Sequence, residues 1–407
     1  MTYRTGALLF AWTMIGLCHH SLAADPLYEA EVIFDPASGN HGHVHASCIV
    51  ECPNGDLRVV WYENGTPLPE PAFNKQKDKS DDVRIGGARK PAGATSWEPA
   101  FVMADSFGVA DNNPCMVIDK SGQLWLFRAT LLGVPDWSWG SSLLRYQISS
   151  DYLKPGRPIW RKEDILIPHP LGINTVLDTS FAAIEKQSDR NPAQLEKIRN
   201  RTKELLNQPL TSRLGWMPRV HPFILSDGTL IVPLSNENFN VAAMALTHDG
   251  GETWTLSNPV PEAGLTQPTL VEFPDGKLSA FFRNGDSARR IKRSDSLDGG
   301  ITWSDVTLTT LPHLGSGIEA LRLRNGHLVM VYNNKERDPR DRLAVSISTD
   351  DGQTWPWTRH LENIPDTRFD YPSVIQAIDG SLHVTYSDNL KTIKHAHFNE
   401  EWIQAAQ

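Results

Sequence analysis

Cysteine is scarce. The 407 residues carry four, Cys18, Cys48, Cys52 and Cys115. Cys48 and Cys52 share strand parity but lie too far apart along an extended strand to bond. No Cys-x-x-Cys or His-Glu-x-x-His spacing occurs. A disulfide framework is therefore excluded, and neither a metal nor a cofactor is expected. Basic charge is also short, with 39 Lys and Arg against 48 Asp and Glu for a net charge of −9, and no Lys/Arg run marks a nucleic-acid face. The apolar run Ala7 to Leu17 is too short to span a bilayer, so no membrane partner is expected. With Arg4 before it and Ser21-Leu22-Ala23 after it, residues 1–23 read as a secretory signal, which makes the mature chain secreted or periplasmic. Its three remaining cysteines read as small buried side chains.

Repetition is abundant. Thr247-His248-Asp249-Gly250-Gly251-Glu252-Thr253-Trp254, Ser296 to Trp303 and Ser348 to Trp355 share the pattern Ser/Thr-x-Asp-x-Gly-x-Thr-Trp at a period of about fifty residues. Asp accepts backbone N–H bonds, Gly supplies a positive φ, and Trp buries its ring while its N–H finds a partner. The pattern staples turns and carries no chemistry of its own.

A second repeat fixes the unit count. A turn glycine preceded by Asn, Asp or Ser and followed two residues later by Leu recurs at Gly55, Gly122, Gly228, Gly276, Gly326 and Gly380. β-rich apolar runs flank each copy, as hairpins require. Six hairpins imply an all-β, six-bladed β-propeller over residues 24–407, a single domain despite the length. The interval from Gly122 to Gly228 is about twice the others. There Asn191 to Leu206, with Pro192 in a first turn and Leu195, Ile198, Leu205 and Leu206 at helical spacing, predicts one short helical insertion between blades two and three. Long insertions in repeat folds collect on one functional face, so this helix is expected to border and narrow the site.

A propeller brings the starts of its inner strands together around one axis. The polar groups there are His41 to Ser47, Asn112-Asn113-Pro114, Trp216 to Pro222, Thr266-Gln267-Pro268, Ser316 to Ala320 and Phe369 to Pro372. Trp137 and Trp139 occupy a loop where an aromatic could stack on a sugar, although packing is the simpler use.

The three Asp boxes, the hairpin spacing and the last-blade sequence Asp370-Tyr371-Pro372-Ser373-Val374-Ile375-Gln376 resemble the sialidase (neuraminidase) superfamily, and more closely its bacterial sialidase-like BNR-repeat members. The resemblance implies a Tyr nucleophile activated by Glu, an Asp acid/base, and three Arg that grip a substrate carboxylate. It places Tyr371 as nucleophile, Arg283 and Arg340 as two of the gripping arginines, and Asp78 ahead of Asp81 and Asp82 as acid/base. It also exposes two departures. His45 stands where the third Arg is expected, and Gln267 stands where Glu would activate Tyr, a task for which a neutral amide is unfit. Glu319 on the neighbouring blade is the alternative activator.

The leading expectation is an exported, exo-acting glycoside hydrolase acting on a terminal, acidic sugar of a glycan. Two other classes remain open. One is a polysaccharide lyase on uronate-containing glycans, with His45 or His221 and Tyr371 moving protons and Arg219 or Arg283 neutralising the carboxylate. The other is a non-catalytic glycan-binding propeller, which the missing Glu favours. Oligomeric state is left open.

Overall fold

All six turn glycines lie in the left-handed region, from +78° at Gly122 to +99° at Gly380. In each turn the glycine amide donates to the carbonyl three residues back at 2.8 or 2.9 Å. Every one joins the first and second strands of a separate antiparallel sheet, so the hairpin repeat counts the blades correctly. The computed structural model describes residues 24–37, 41–66, 78–134, 137–187 and 191–405. The expected signal at residues 1–23 lies outside the described residues. No described helix is long and apolar enough to cross a membrane.

The six sheets form a six-bladed propeller whose inner strands begin at Val44, Ala110, Trp216, Leu265, Glu319 and Phe369. The ring is closed by the N-terminal strand Tyr28–Val32, which pairs antiparallel with Thr392–Phe398 as the outermost strand of blade six. His395 donates to Glu31 across that seam at 3.2 Å. Blades pack face to face, so their middle strands are covered on both sides. Leu57–Asn64 and Leu124–Leu131 are buried at every position, which explains why such segments read as continuous rather than alternating apolar runs. Between blades one and two the core contains Cys48, Cys52 and Cys115, all free and buried as expected.

The Asp boxes link the third and fourth strands of blades three, four and five, on the periphery. Asp298 accepts from Ser296 Oγ at 2.8 Å, Ile301 N at 3.2 Å, Thr302 N at 2.9 Å and Thr302 Oγ1 at 2.5 Å. Asp249 and Asp350 repeat the arrangement. The tryptophan part of the expectation needs correction, because the indole N–H groups of Trp303 and Trp355 are buried without a partner among the described residues. These rings are held by packing alone.

Three helices, Ile173–Gln187, Pro192–Leu206 and Pro209–Arg213, lie between the last strand of blade two and the first of blade three, where one was expected. The predicted one begins at Asn191, whose side chain accepts from Ala193 N at 2.9 Å. The helix before it tucks Ile173, Val176 and Leu177 against Trp216 and Phe239 of blade three.

Candidate functional site

Inner strands are not regular where they reach the axis. In blades one, two, four and six a β-bulge places one non-glycine residue in the left-handed region: Ala46 (φ 57°), Asn113 (45°), Gln267 (51°) and Tyr371 (50°). Such conformations are costly for side chains that carry a Cβ and persist where the surroundings hold them. In three of these blades proline follows, at Pro114, Pro268 and Pro372. Proline cannot donate to the ladder, so pairing breaks there and the preceding side chain is re-aimed. Blade three reaches a similar end by another route. Its inner strand splits into Trp216–Met217 and Phe223–Ile224, and the unpaired link between Pro218 and Pro222 carries Arg219 and His221.

Tyr371 is the centre of the resulting cluster. Its hydroxyl oxygen accepts from Arg283 Nη1 at 2.8 Å, and the same nitrogen donates to Gln267 Oε1 at 3.2 Å. The Arg219 guanidinium lies 4.4 Å from the ring centroid, and the His45 ring stands 4.5 Å away at 67°. Gly317 of blade five closes another side, since a Cβ there would meet Tyr371 Cδ1 at 2.3 Å. Burial alone would raise the phenol pKa, yet Arg283, Arg340, Gln267 and Arg219 together pull it below the usual tyrosine value.

The remaining expected residues are distributed around this centre. Arg340 donates to Asp370 Oδ1 at 2.5 Å, and Arg368 pairs with the other oxygen of the same carboxylate. His45 donates to or accepts from Ser387 Oγ at 3.0 Å; burial, then His43, Arg368, Arg219 and Arg340, hold its pKa far below the usual imidazole value, so it is neutral. Asp78 sits in the turn that enters the third strand of blade one. Its backbone carbonyl accepts from Asn112 Nδ2 at 3.1 Å, and Lys79 beside it lies 5.5 Å over the Trp139 ring. Behind burial, the Asp78 carboxylate is the largest charge raising the pKa of Tyr62, whose ring is 5.6 Å from that of His45. Asp82 accepts from Thr66 N and Oγ1 at 3.2 and 2.8 Å. Trp137 and Trp139 pack against the core between blades one and two.

Glu319 takes a different position from the one expected of an activating base. One oxygen accepts from His221 Nδ1 at 2.7 Å and His221 N at 3.0 Å, the other from Val374 N at 2.9 Å. His221 Nε2 in turn donates to Ile49 O at 2.5 Å. With acceptors at both ring nitrogens, His221 is an imidazolium. Burial opposes that state, but the Cys48 sulfur and the Glu319 carboxylate hold its pKa well above the usual value. The pair ties blades three, five, one and six together at the axis, which leaves Glu319 committed to structure and His221 unable to act as a base.

Two contributors had no motif to reveal them. Arg368 adds a guanidinium, 41% exposed, on the Asp370 side of the cluster. Glu237 follows the second strand of blade three; burial raises its pKa, Arg283 and Lys79 oppose that rise, and its carboxylate makes no hydrogen bond among the described residues. The only available signal was its place just past a strand end on the axial side.

These features define a class, a six-bladed propeller with an arginine-rich, anion-receptive site built around one tyrosine. Residues 199–384 match the BNR repeat-like domain family. A sialidase from Clostridium perfringens is 30% identical over 157 residues, covering 34% of this chain and 40% of that protein. The matched part thus spans less than half of that relative. Among solved structures, a Hadza microbial sialidase superposes with a TM-score of 0.67 at 16% identity, covering 92% of this chain and 69% of that one. A protein of unknown function from Dyadobacter fermentans gives a TM-score of 0.66 at 17% identity, covering 91% of this chain and 98% of that one. At such identities the likeness concerns the fold. Over residues 199–384 the chain is thus similar to the BNR repeat-like domain family, on a propeller fold shared with solved sialidases.

Proposed function

We propose that this protein is a retaining, exo-acting glycoside hydrolase that removes a terminal acidic sugar from a glycan. The observation that carries the reading is the 2.8 Å contact between Arg283 and the Tyr371 hydroxyl, within a group of cations that outnumber their carboxylates. In this reading Arg283 and Arg340 receive the sugar carboxylate, and Arg368 supplies the third guanidinium in place of the neutral His45. Tyr371 Oη attacks the anomeric carbon while Asp78 protonates the departing glycosidic oxygen. Water then attacks the glycosyl–tyrosine bond with Asp78 as base, restoring the phenol oxygen and releasing the sugar. In this reading the helices packed on blade three border the cleft, and residues 1–23 direct export.

The substitution at Gln267 favours a second reading, a propeller that binds acidic glycans without turnover. Elimination is less well supported, because His221 is fully bonded and burial with the surrounding cations leaves His45 a weak base. Digestion of a glycan panel with mass analysis of the products separates all three. Hydrolysis adds one water across the cleaved bond, elimination leaves an unsaturated uronate without that water, and a binding module retains glycans unchanged.

A further inference from the structure

Arg219 is the least explained charge in the molecule. It is 2% exposed, yet among the described residues its one hydrogen bond, to Ser47 O, is long at 3.4 Å, and its Nε has no partner. No carboxylate among the described residues forms an ion pair with it. The nearby Glu319 is engaged by His221, and Asp370 is shared by Arg340 and Arg368. A buried cation without a counter-charge is expensive to maintain, so something close to it should carry or acquire negative charge. The group against its guanidinium is the ring of Tyr371, 4.4 Å away.

The oxygen of that ring has a matching peculiarity. Among the described residues its hydrogen bond is the one it accepts from Arg283 Nη1. A neutral phenol needs an acceptor for its own proton, whereas a phenolate is satisfied by donors alone. The other charged or titratable groups facing Tyr371 are Arg340, His45, Tyr62 and Asp370; His45 is neutral, and Asp370 is held by two arginines.

We propose that Arg219, stacked on the face of Tyr371, activates that phenol electrostatically, taking over with Arg283 the task that a carboxylate base would otherwise perform. On ionisation the O–H bond breaks, the proton passes to solvent, and the electron pair stays on Oη as the nucleophile. Arg219 is a positioning and activating residue rather than a ligand for the sugar, since almost none of its surface is open. This inference rests on Tyr371 being the nucleophile, but it can be tested without any substrate.

The test is a spectrophotometric titration of phenolate absorbance, with Tyr371 isolated as the difference between the wild-type protein and Tyr371→Phe. The wild-type midpoint is expected below the ordinary 10.0. In Arg219→Gln it should move to higher pH, while Arg219→Lys, which keeps the charge, should hold it below that ordinary value. A wild-type midpoint at or above it overturns the proposal, as does a folded Arg219→Gln protein with the wild-type midpoint. If Arg219→Gln does not fold, Arg219→Lys decides, because loss of the low midpoint with the charge retained contradicts electrostatic activation. A low midpoint without hydrolysis on the glycan panel would sink the hydrolase reading alone. Hydrolysis with an ordinary phenol would sink this inference alone.

Discussion

Gly317 and Tyr371, from neighbouring blades, approach so closely that a Cβ on residue 317 would stand 2.3 Å from Cδ1 of the tyrosine ring. The glycine therefore fixes where the phenol sits. Gly317→Ala should push the ring away from Arg283 and Arg219. Displacement of about 1 Å at a reacting group costs roughly 10²-fold in rate, so kcat should fall by that order. Circular dichroism should show an intact fold, and an unchanged kcat would remove the glycine from the account.

Arg283 makes a charge-assisted contact with Tyr371 and, in the proposed reaction, also receives the sugar carboxylate. Arg283→Ala should weaken binding of an acidic sugar by about 2–3 kcal/mol and leave neutral sugars unaffected. Calorimetric titration with a matched acidic and neutral pair measures the difference. Equal losses for both sugars would show that Arg283 supports the cleft rather than recognising charge.

The Asp boxes should behave as staples. Asp298→Ala removes the acceptor of several bonds at one turn and should cost about 1 kcal/mol or more, read from denaturant unfolding, while the folded fraction keeps its activity. The pH dependence follows from the sign of the shifts. Burial works against it at Asp298, but the Thr302 and Ser296 bonds win and lower its pKa; at Asp350 the Thr354 bonds lead in the same direction. Groups with depressed folded-state values contribute stability above their ordinary 3.8, and that contribution is lost as pH falls through the folded values. The wild type should therefore lose stability on acidification more steeply than Asp298→Ala.

His221 and Glu319 give the opposite slope on the alkaline side. A histidine whose folded value is raised contributes stability fully below its ordinary 6.5, and loses it as pH rises through the folded value. His221→Gln leaves the buried Glu319 carboxylate uncompensated and should cost about 3 kcal/mol near neutrality, with the gap from wild type narrowing as pH rises. A constant gap across that range would mean that His221 is neutral in the fold.

The architecture was legible because its signals are local. A turn glycine followed by Leu, or an Asp that must accept three or four bonds within five residues, leaves a pattern readable within one short segment. The Asn113-Pro114, Gln267-Pro268 and Tyr371-Pro372 pairs marked the axial bulges in the same way. Convergence was a different matter. Arg219 of blade three meets Tyr371 of blade six at the axis, and nothing near either residue in sequence records that contact. The contacts of Glu319 were hidden for a similar reason, since its partners His221 and Val374 come from two other blades. The helix Ile173–Gln187 was missed where the strong Asn191-Pro192 start signal drew attention to its successor.

The central claim is that the Tyr371 oxygen forms a bond to the sugar. Acid-quenching the enzyme during turnover of an acidic glycoside found by the panel digestion, then mapping its peptides by mass spectrometry, tests this directly. The account predicts a glycosyl adduct on the peptide containing Tyr371 in the wild-type protein, and neither adduct nor turnover in Tyr371→Phe. Turnover that persists in Tyr371→Phe would contradict it.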